Sequence, residues 1–174
     1  MTGFKNQYLV STDWLDKQQG HPDLRIIDAS WYLPSLKRCP YEEFIERHIP
    51  GATFFDLDEF SDPSSSFPHM ALDPEGFSKK IEIFGISKKS IVIVYDGLGL
   101  FSAARLLWLF HLYGFRNVFV LDGGLPKWLL EKKSTESSIR RFNPLPFTIS
   151  YNADVIVDME ELSGLLRSNE VQIV

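Results

Sequence analysis

The stretch that decides the fold is Ile91–Trp108, IVIVYDGLGLFSAARLLW. It opens with four β-branched residues in a row, and such a short apolar run is typical of a strand buried on both faces of a sheet. A glycine-containing loop follows at Tyr95–Gly99, and a helical pattern with Ser102 as its predicted N-cap comes next. Strand, tight loop and helix in this order place the loop at the carboxyl end of a central strand, where ligands bind in open α/β sheets.

Asp96 stands where this strand gives way to the loop, the usual position of a nucleophile in such an architecture. The loop amides and the helix N-terminus favour an anion at this point. A dinucleotide site is disfavoured because the glycines at 97 and 99 lack a third, Ser102 standing in its place. Phosphoryl transfer through Asp96 is disfavoured as well, since Leu98 occupies the place of a partner aspartate.

The rest of the chain repeats the alternation of short apolar strands with helices. This alternation predicts an α/β fold with a largely parallel central sheet and helices on both faces. The loop Asp56–Met70 is long and rich in Asp, Ser and Pro, and loops of that length are usually functional or mobile. The other predicted strands are Leu24–Asp28, Ala52–Phe55 and Val118–Leu121, and the other predicted helices are Tyr41–Arg47, one capped by Asp73 and one opened by Pro126.

Composition excludes several classes of function. The 174 residues include 18 basic and 23 acidic side chains, and this net charge of −5 argues against a nucleic-acid partner. No apolar segment reaches membrane-spanning length and the start lacks a signal-peptide core, so we expect a cytoplasmic protein without membrane contact. Cys39 is the single cysteine, which excludes a disulfide framework and a multi-cysteine zinc site. We expect neither a metal nor a cofactor.

The end of the chain repeats its beginning. Val10 is followed by a short helical pattern and then by Ile27 at the end of a strand, and the same spacing separates Val157 from Val174. The helical pattern of the second copy covers Met159–Leu166. We predict a domain over residues 1–131 whose core is complete by Leu130, an interdomain linker over 132–150, and the truncated start of a second domain over 151–174.

Four stretches together carry a family resemblance. They are RIIDASWYLP (25–34), ERHIPGATFFDLD (46–58), VYDGLGLFSAARLLWLF (94–110) and VLDGGLPKW (120–128). In this order and spacing they closely resemble the N-terminal half of two-domain rhodanese-type sulfurtransferases, and most of all the 3-mercaptopyruvate and thiosulfate sulfurtransferases. The resemblance implies a rhodanese-like fold in a tandem of two domains. It also implies an enzyme that moves sulfane sulfur from 3-mercaptopyruvate or thiosulfate to a thiol or to cyanide.

In that family a cysteine of the second domain carries the sulfur as a persulfide, and the resemblance places Asp96 at the matching position of the first domain. A carboxylate cannot hold a persulfide, because sulfur transfer needs a polarizable thiolate. The resemblance therefore implies that this chain alone is inactive and that Asp96 has a structural role. It also implies that the missing second domain is its partner, and that a small sulfur donor binds only to the complete enzyme.

The resemblance names candidates for a substrate pocket or domain interface, namely Trp31, His69 and Phe101. Phe101 falls where mercaptopyruvate-type members often carry a tyrosine, so a hydroxyl is lost at that position. An exposed surface histidine is an equal alternative for His69, and packing is the alternative for Trp31 and Trp128.

Asp28, Arg105 and Asp122 are expected to be structural. For Arg105 a structural salt bridge is favoured, and neutralisation of Asp96 or Asp122 is the alternative. Two rival functions stay open beside the sulfurtransferase domain. One is a standalone, degenerate rhodanese-like module that binds or regulates a partner. The other is an enzyme that uses Cys39, whose neighbouring positive charges favour a reactive thiolate.

Overall fold

The central element is a five-stranded parallel sheet, seen in a computed structural model that describes residues 8–168 and Gln172. The strand order is β1-β5-β4-β2-β3, so β4 lies at the centre and β1 and β3 form the edges. Every pairing between neighbouring strands is parallel, which confirms the predicted α/β class. The strands are β1 Leu9–Val10, β2 Leu24–Asp28, β3 Ala52–Phe54, β4 Ile91–Tyr95 and β5 Val118–Leu121.

Two of the helices begin at N-cap residues whose side chains accept a backbone hydrogen bond. The Ser11 hydroxyl accepts a hydrogen bond from the Trp14 amide, and the Asp73 carboxylate accepts one from the Gly76 amide. The fifth helix begins at Gly124, two residues before the predicted Pro126. The helices are α1 Thr12–Gln18, α2 Pro40–Glu46, α3 Pro74–Ile81, α4 Ala103–Leu112, α5 Gly124–Leu130 and α6 Met159–Ser168.

Apolar side chains fill both faces of the sheet. Val92 and Val94 of β4 contribute to one buried cluster, whereas Ile93 and Tyr95 contribute to the other. This alternation follows from the two-residue period of a strand. Helices α3 and α4 cover the first face, while α1, α2 and α5 cover the second. The predicted arrangement of helices on both faces is therefore confirmed.

Residues 132–150, which we call the strap, run along the domain without forming a helix. His48 and Glu136 exchange two backbone hydrogen bonds of 2.9 and 3.0 Å, and the Ser150 amide donates to the Tyr113 carbonyl at 3.1 Å. The Phe147 side chain is 8% exposed and belongs to the larger core cluster. The expectation that the core is complete by Leu130 is therefore wrong, because the strap supplies part of it.

The tail beyond the strap carries the predicted helical pattern as α6. Most of its apolar side chains are exposed, with Met159 at 84%, whereas Leu165 is partly buried. The strand predicted at the end of the second copy falls on 171–174, which lies outside the described residues except for Gln172. The division into two domains stays a prediction. Across the described part of the chain, no helix is long and apolar enough to cross a membrane.

Candidate active site at the Asp96 loop

The Asp96 carboxylate fills the loop that follows β4. Its side chain is buried, with the residue 1% exposed. Oδ1 accepts hydrogen bonds from the amides of Leu98 at 2.9 Å and Gly99 at 2.7 Å. Oδ2 accepts from Phe101 at 2.6 Å and from Ala103, the first residue of α4, at 2.9 Å. Four backbone donors that would suit a bound anion are thus already bonded to an anion of the chain itself.

Asp96 also takes over the cap predicted for Ser102. Ser102 occupies the N-cap position of α4 but makes no side-chain capping bond, and its hydroxyl instead accepts from the Trp31 amide at 3.1 Å. The Asp96 carboxylate at the N-terminus of α4 is the favourable position for a negative charge on a helix.

Two glycines allow the loop to pack this tightly. A Cβ at Gly97 would overlap the hydroxyl of Tyr32, which donates to Glu43 Oε2 at 2.7 Å. Gly124 has φ +53°, and a Cβ there would lie 2.5 Å from the Asp96 carbonyl oxygen. Because neither position has room for a side chain, the loop is closed on both sides by neighbouring chain segments.

Asp28, at the end of β2, is a second buried carboxylate beside this loop. Its Oδ1 accepts from the Ser30 amide at 2.9 Å and the Ser30 hydroxyl at 2.5 Å, and that hydroxyl accepts from the Gly97 amide at 2.8 Å. Burial raises the pKa of Asp28 to about 6, and the nearby charge of Asp96 also raises it. The hydrogen bonds from Ser30 lower the pKa and so offset part of this rise. Ser30 therefore links the Asp28 carboxylate to the backbone of the Asp96 loop.

The structure brings the three sequence-predicted pocket residues together next to the loop. The rings of Trp31 and His69 meet edge to face with centroids 4.8 Å apart. The rings of Trp31 and Phe101 are nearly parallel at 6.4 Å. Phe101 is 47% exposed, whereas the other two are partly buried. We call this group of three residues the aromatic face.

Two contacts that the sequence did not predict hold His69, one from Asp58 and one from Arg105. The imidazole Nε2 lies 2.8 Å from Asp58 Oδ1. The His69 backbone adopts a left-handed conformation with φ +57°. Both residues lie in the long loop Asp56–Met70, and an acid and a histidine in one loop were the only signal of the pair. The Asp58 contact fixes the plane of the imidazole against Trp31.

Arg105 provides the second contact. Its Nη2 donates to the His69 carbonyl at 2.5 Å, and its guanidinium lies 4.3 Å from the Trp108 ring centroid. The expectation of a salt bridge for Arg105 is wrong, as is the alternative that Arg105 neutralises Asp96 or Asp122, since no ion pair of Arg105 occurs among the described residues. Burial lowers the pKa of Arg105, and its Nε is buried without a hydrogen-bond partner.

The remaining candidates lie apart from the aromatic face. Asp122 forms an ion pair with Lys127 at 2.8 Å, at the start of α5. Cys39 is exposed at the residue preceding α2 and makes no side-chain cap. Within residues 8–168 and Gln172, no group of three or more His, Cys, Asp or Glu side chains is arranged to hold a metal ion.

Comparison with known proteins places this geometry in a family. The rhodanese-like domain matches residues 11–131. A mitochondrial thiosulfate/3-mercaptopyruvate sulfurtransferase of Arabidopsis thaliana is 49% identical over 130 residues, and these cover 75% of this chain and 34% of the relative. Human 3-mercaptopyruvate sulfurtransferase is 38% identical over 173 residues, which cover 95% of this chain and 58% of the relative. The chain therefore spans between one third and three fifths of these relatives.

A solved structure gives the same answer. The crystal structure of SseA from Escherichia coli, described as a 3-mercaptopyruvate sulfotransferase with the rhodanese fold, superimposes with a TM-score of 0.90 at 32% identity. The match covers 96% of this chain and 64% of that one. The resemblance carried by the four sequence stretches is confirmed. The chain belongs to the rhodanese-like domain family, and its similarity within that family is to the 3-mercaptopyruvate and thiosulfate sulfurtransferases.

Proposed function

We propose that this chain is the non-catalytic first domain of a sulfurtransferase. The complete enzyme moves sulfane sulfur from 3-mercaptopyruvate or thiosulfate to a thiol or cyanide acceptor. The proposal rests on the Asp96 carboxylate, which accepts hydrogen bonds from four backbone amides at the carboxyl end of β4. A carboxylate cannot form the persulfide on which transfer depends, so the thiolate comes from a second domain.

The aromatic face is this domain's contribution to the substrate cleft. Trp31 and Phe101 supply apolar surface, and His69 supplies a ring nitrogen whose orientation Asp58 fixes. Exposed apolar side chains occur close to these three residues along the chain, as expected where a second domain packs. The exposed apolar side chains there are Leu33, Leu36, Phe67, Met70, Leu98 and Leu100.

The first test is an assay of the chain alone with 3-mercaptopyruvate and with thiosulfate, each with cyanide as acceptor. We expect no turnover above background. Turnover that survives Cys39→Ser contradicts the proposal. Turnover that Cys39→Ser abolishes assigns the activity to the exposed thiol instead, and the Cys39 alternative replaces the proposal.

We further propose that residues 151–174 begin a second rhodanese-like domain and are not part of the first. The exposed apolar side chains of α6 support this division. Deletion of residues 154–174 should change the free energy of unfolding by less than about 1 kcal/mol, because few buried side chains are lost. Phe147→Ala is the matched comparison and should cost about 3 kcal/mol, since Phe147 is a core residue. A deletion as costly as Phe147→Ala would show that the tail belongs to the first domain.

A standalone binding module is the second candidate function. The same exposed face favours it, since an apolar surface of this kind also fits a separate protein partner. Adding a separately expressed second domain of a relative distinguishes the two, because only the sulfurtransferase proposal expects Trp31→Ala and His69→Ala to alter the donor KM of the mixture. We retain a cytoplasmic location as a proposal, although one relative is named as mitochondrial. Fractionation of cells that express the protein tests it.

A further inference from the structure

A cavity of about 610 Å³ opens along β3, at the edge of the sheet. Helix α2 and strand β3 form one wall, and the strap closes the other. The volume lies within the range of pockets that hold small molecules. Aromatic rings dominate the lining, among them Tyr41, Phe54, Phe60 and Phe142.

Two arginines of the strap line this cavity without a counter-ion. Arg140 and Arg141 are exposed, and neither forms an ion pair with a carboxylate of the described residues. The guanidinium of Arg140 lies 5.2 Å from the centroid of the Phe142 ring, and that of Arg25 lies 4.2 Å from it. Burial and the charge of Arg140 both lower the pKa of Arg25. Three arginines thus lie close together at this edge of the sheet, and the charge of Asp23 acts on the pKa of Arg25 in the opposite direction to that of Arg140.

The acidic side chains at the same edge are largely committed to backbone amides. Asp56 Oδ1 accepts from the amides of Asp58 at 2.9 Å and Glu59 at 3.3 Å. Glu136 Oε1 accepts from the Gly51 amide at 2.6 Å. Glu59 lines the cavity as the remaining carboxylate and is exposed to water. Although these carboxylates keep their charge, none of them forms an ion pair with Arg140 or Arg141 among the described residues, so an external anion can approach both guanidinium groups.

A smaller polar cavity of about 340 Å³ adjoins the aromatic one and shares Ile139 and Arg140 with it. Gln19 lines this second cavity, and its Nε2 is buried without a hydrogen-bond partner. A buried amide donor without a partner is costly unless a ligand or water satisfies it. An apolar compartment thus adjoins a compartment with unsatisfied donors.

We propose that this edge of the sheet is a binding site for a small amphipathic anion. Its flat apolar body lies among the aromatic rings of the larger cavity, and its anionic head lies between Arg140, Arg141 and the Gln19 amide. The site is built by the strap against β3, so occupancy should also hold the strap in place.

The test uses 2-naphthoate as the probe, with the neutral 2-naphthamide as its matched control. Calorimetry should show that naphthoate binds, and amide chemical shifts should change at 52–54 and 139–144. The double substitution Arg140→Gln, Arg141→Gln should weaken naphthoate binding about tenfold, as expected for lost charge-assisted hydrogen bonds. Lysine at both positions should retain most of the affinity, and Arg116→Gln, an exposed arginine in another loop, should change nothing. Equal binding of naphthoate and naphthamide, or shifts centred on the aromatic face, would overturn the proposal.

A second variant keeps the outcome clear if the arginine substitutions disturb the strap. Ile83 lines the cavity and is 58% exposed, so Ile83→Glu adds a carboxylate with little risk to folding. It should weaken naphthoate binding while the melting temperature is retained. If a second copy of the chain covers the cavity instead, sedimentation will show a dimer that Ile83→Glu dissociates. Failure of naphthoate to bind this dimer would overturn the proposal.

Discussion

The Asp96 loop and the aromatic face are neighbours at the carboxyl end of the sheet, yet they use their polar groups in opposite ways. In the loop every acceptor position of the carboxylate faces a backbone amide of the same segment. On the face the largest rings are partly exposed, and the single imidazole is oriented by one exposed carboxylate. The carboxylate of the loop is thus satisfied within its own segment, whereas the side chains of the face remain partly exposed.

The largest loss of stability should come from Asp96→Ala, which removes the carboxylate that the loop amides bind. Four amides lose their acceptor, one of them in a buried bond and three in partly buried bonds, so unfolding should become easier by about 3 kcal/mol. Asp96→Asn is the matched control. It keeps one acceptor oxygen and should lose less stability. Denaturant unfolding at constant pH measures both variants, and near-wild-type stability of the alanine variant would show that the loop does not depend on its carboxylate.

Asp28→Asn tests the second carboxylate of the loop region through its pH dependence. The folded pKa is about 6 against an ordinary value of 3.8, so between these values the folded state retains a proton that the unfolded state has released. Stability should therefore fall as pH rises from about 4 to about 6, by roughly 2–3 kcal/mol. The asparagine variant keeps an acceptor for Ser30 and should lack this slope. A wild-type stability that stays flat over that interval would contradict the shifted pKa.

Substitution of exposed side chains at and beside the aromatic face should cost much less stability. Leu100→Ser with Phe101→Ser removes two exposed apolar side chains and should change the free energy of unfolding by less than about 0.5 kcal/mol. Any self-association of the chain should decrease, as measured by light scattering over a range of concentrations. A large loss of stability would mean that the face is part of the core and not a surface for a partner.

The smallest effect should be the activity of Asp96→Cys. The thiol would lie among the loop amides that favour a thiolate, but one sulfur cannot accept the four hydrogen bonds of a carboxylate. The apolar side chains of Leu98, Leu100 and Phe101 offer no charge to hold an anionic donor. We expect at most a trace of persulfide, seen by mass spectrometry after treatment with thiosulfate, with Cys39→Ser as background. A transfer rate close to that of a complete sulfurtransferase would contradict the proposal that a second domain is needed for catalysis.

The sequence predicted the parts of this site that are written into local patterns. The apolar run of β4, the loop after it and the position of Asp96 follow from residue order alone, and the family resemblance selected Trp31, His69 and Phe101. The contact between Asp58 and His69 crosses an irregular loop that has no period to read. The partner of Arg105 could not be predicted, because its acceptor is the backbone carbonyl of His69. Every residue has such a carbonyl, so the order of side chains gives no indication of which one is used.

The strap shows the same limit at a larger scale. Its polar composition predicted a linker, and most of it does lack regular structure. Phe147 nevertheless packs into the core, because a single aromatic side chain can be buried wherever the chain passes a gap between helices. Ser102 was expected to cap α4, but the cap comes from a side chain on the preceding strand end, which only the three-dimensional turn brings close.

The pairing of β1 with β5 has a consequence for synthesis of the protein in the cell. Leu9 and Val10 pair with Val120 and Leu121. The first described strand therefore cannot join the sheet until the last strand has been synthesised. Contacts between such distant parts of a chain form slowly. A ribosome must release nearly the whole domain, and then the strap with Phe147, before the core is sealed. During that interval the nascent chain exposes an unpaired strand edge, which favours aggregation.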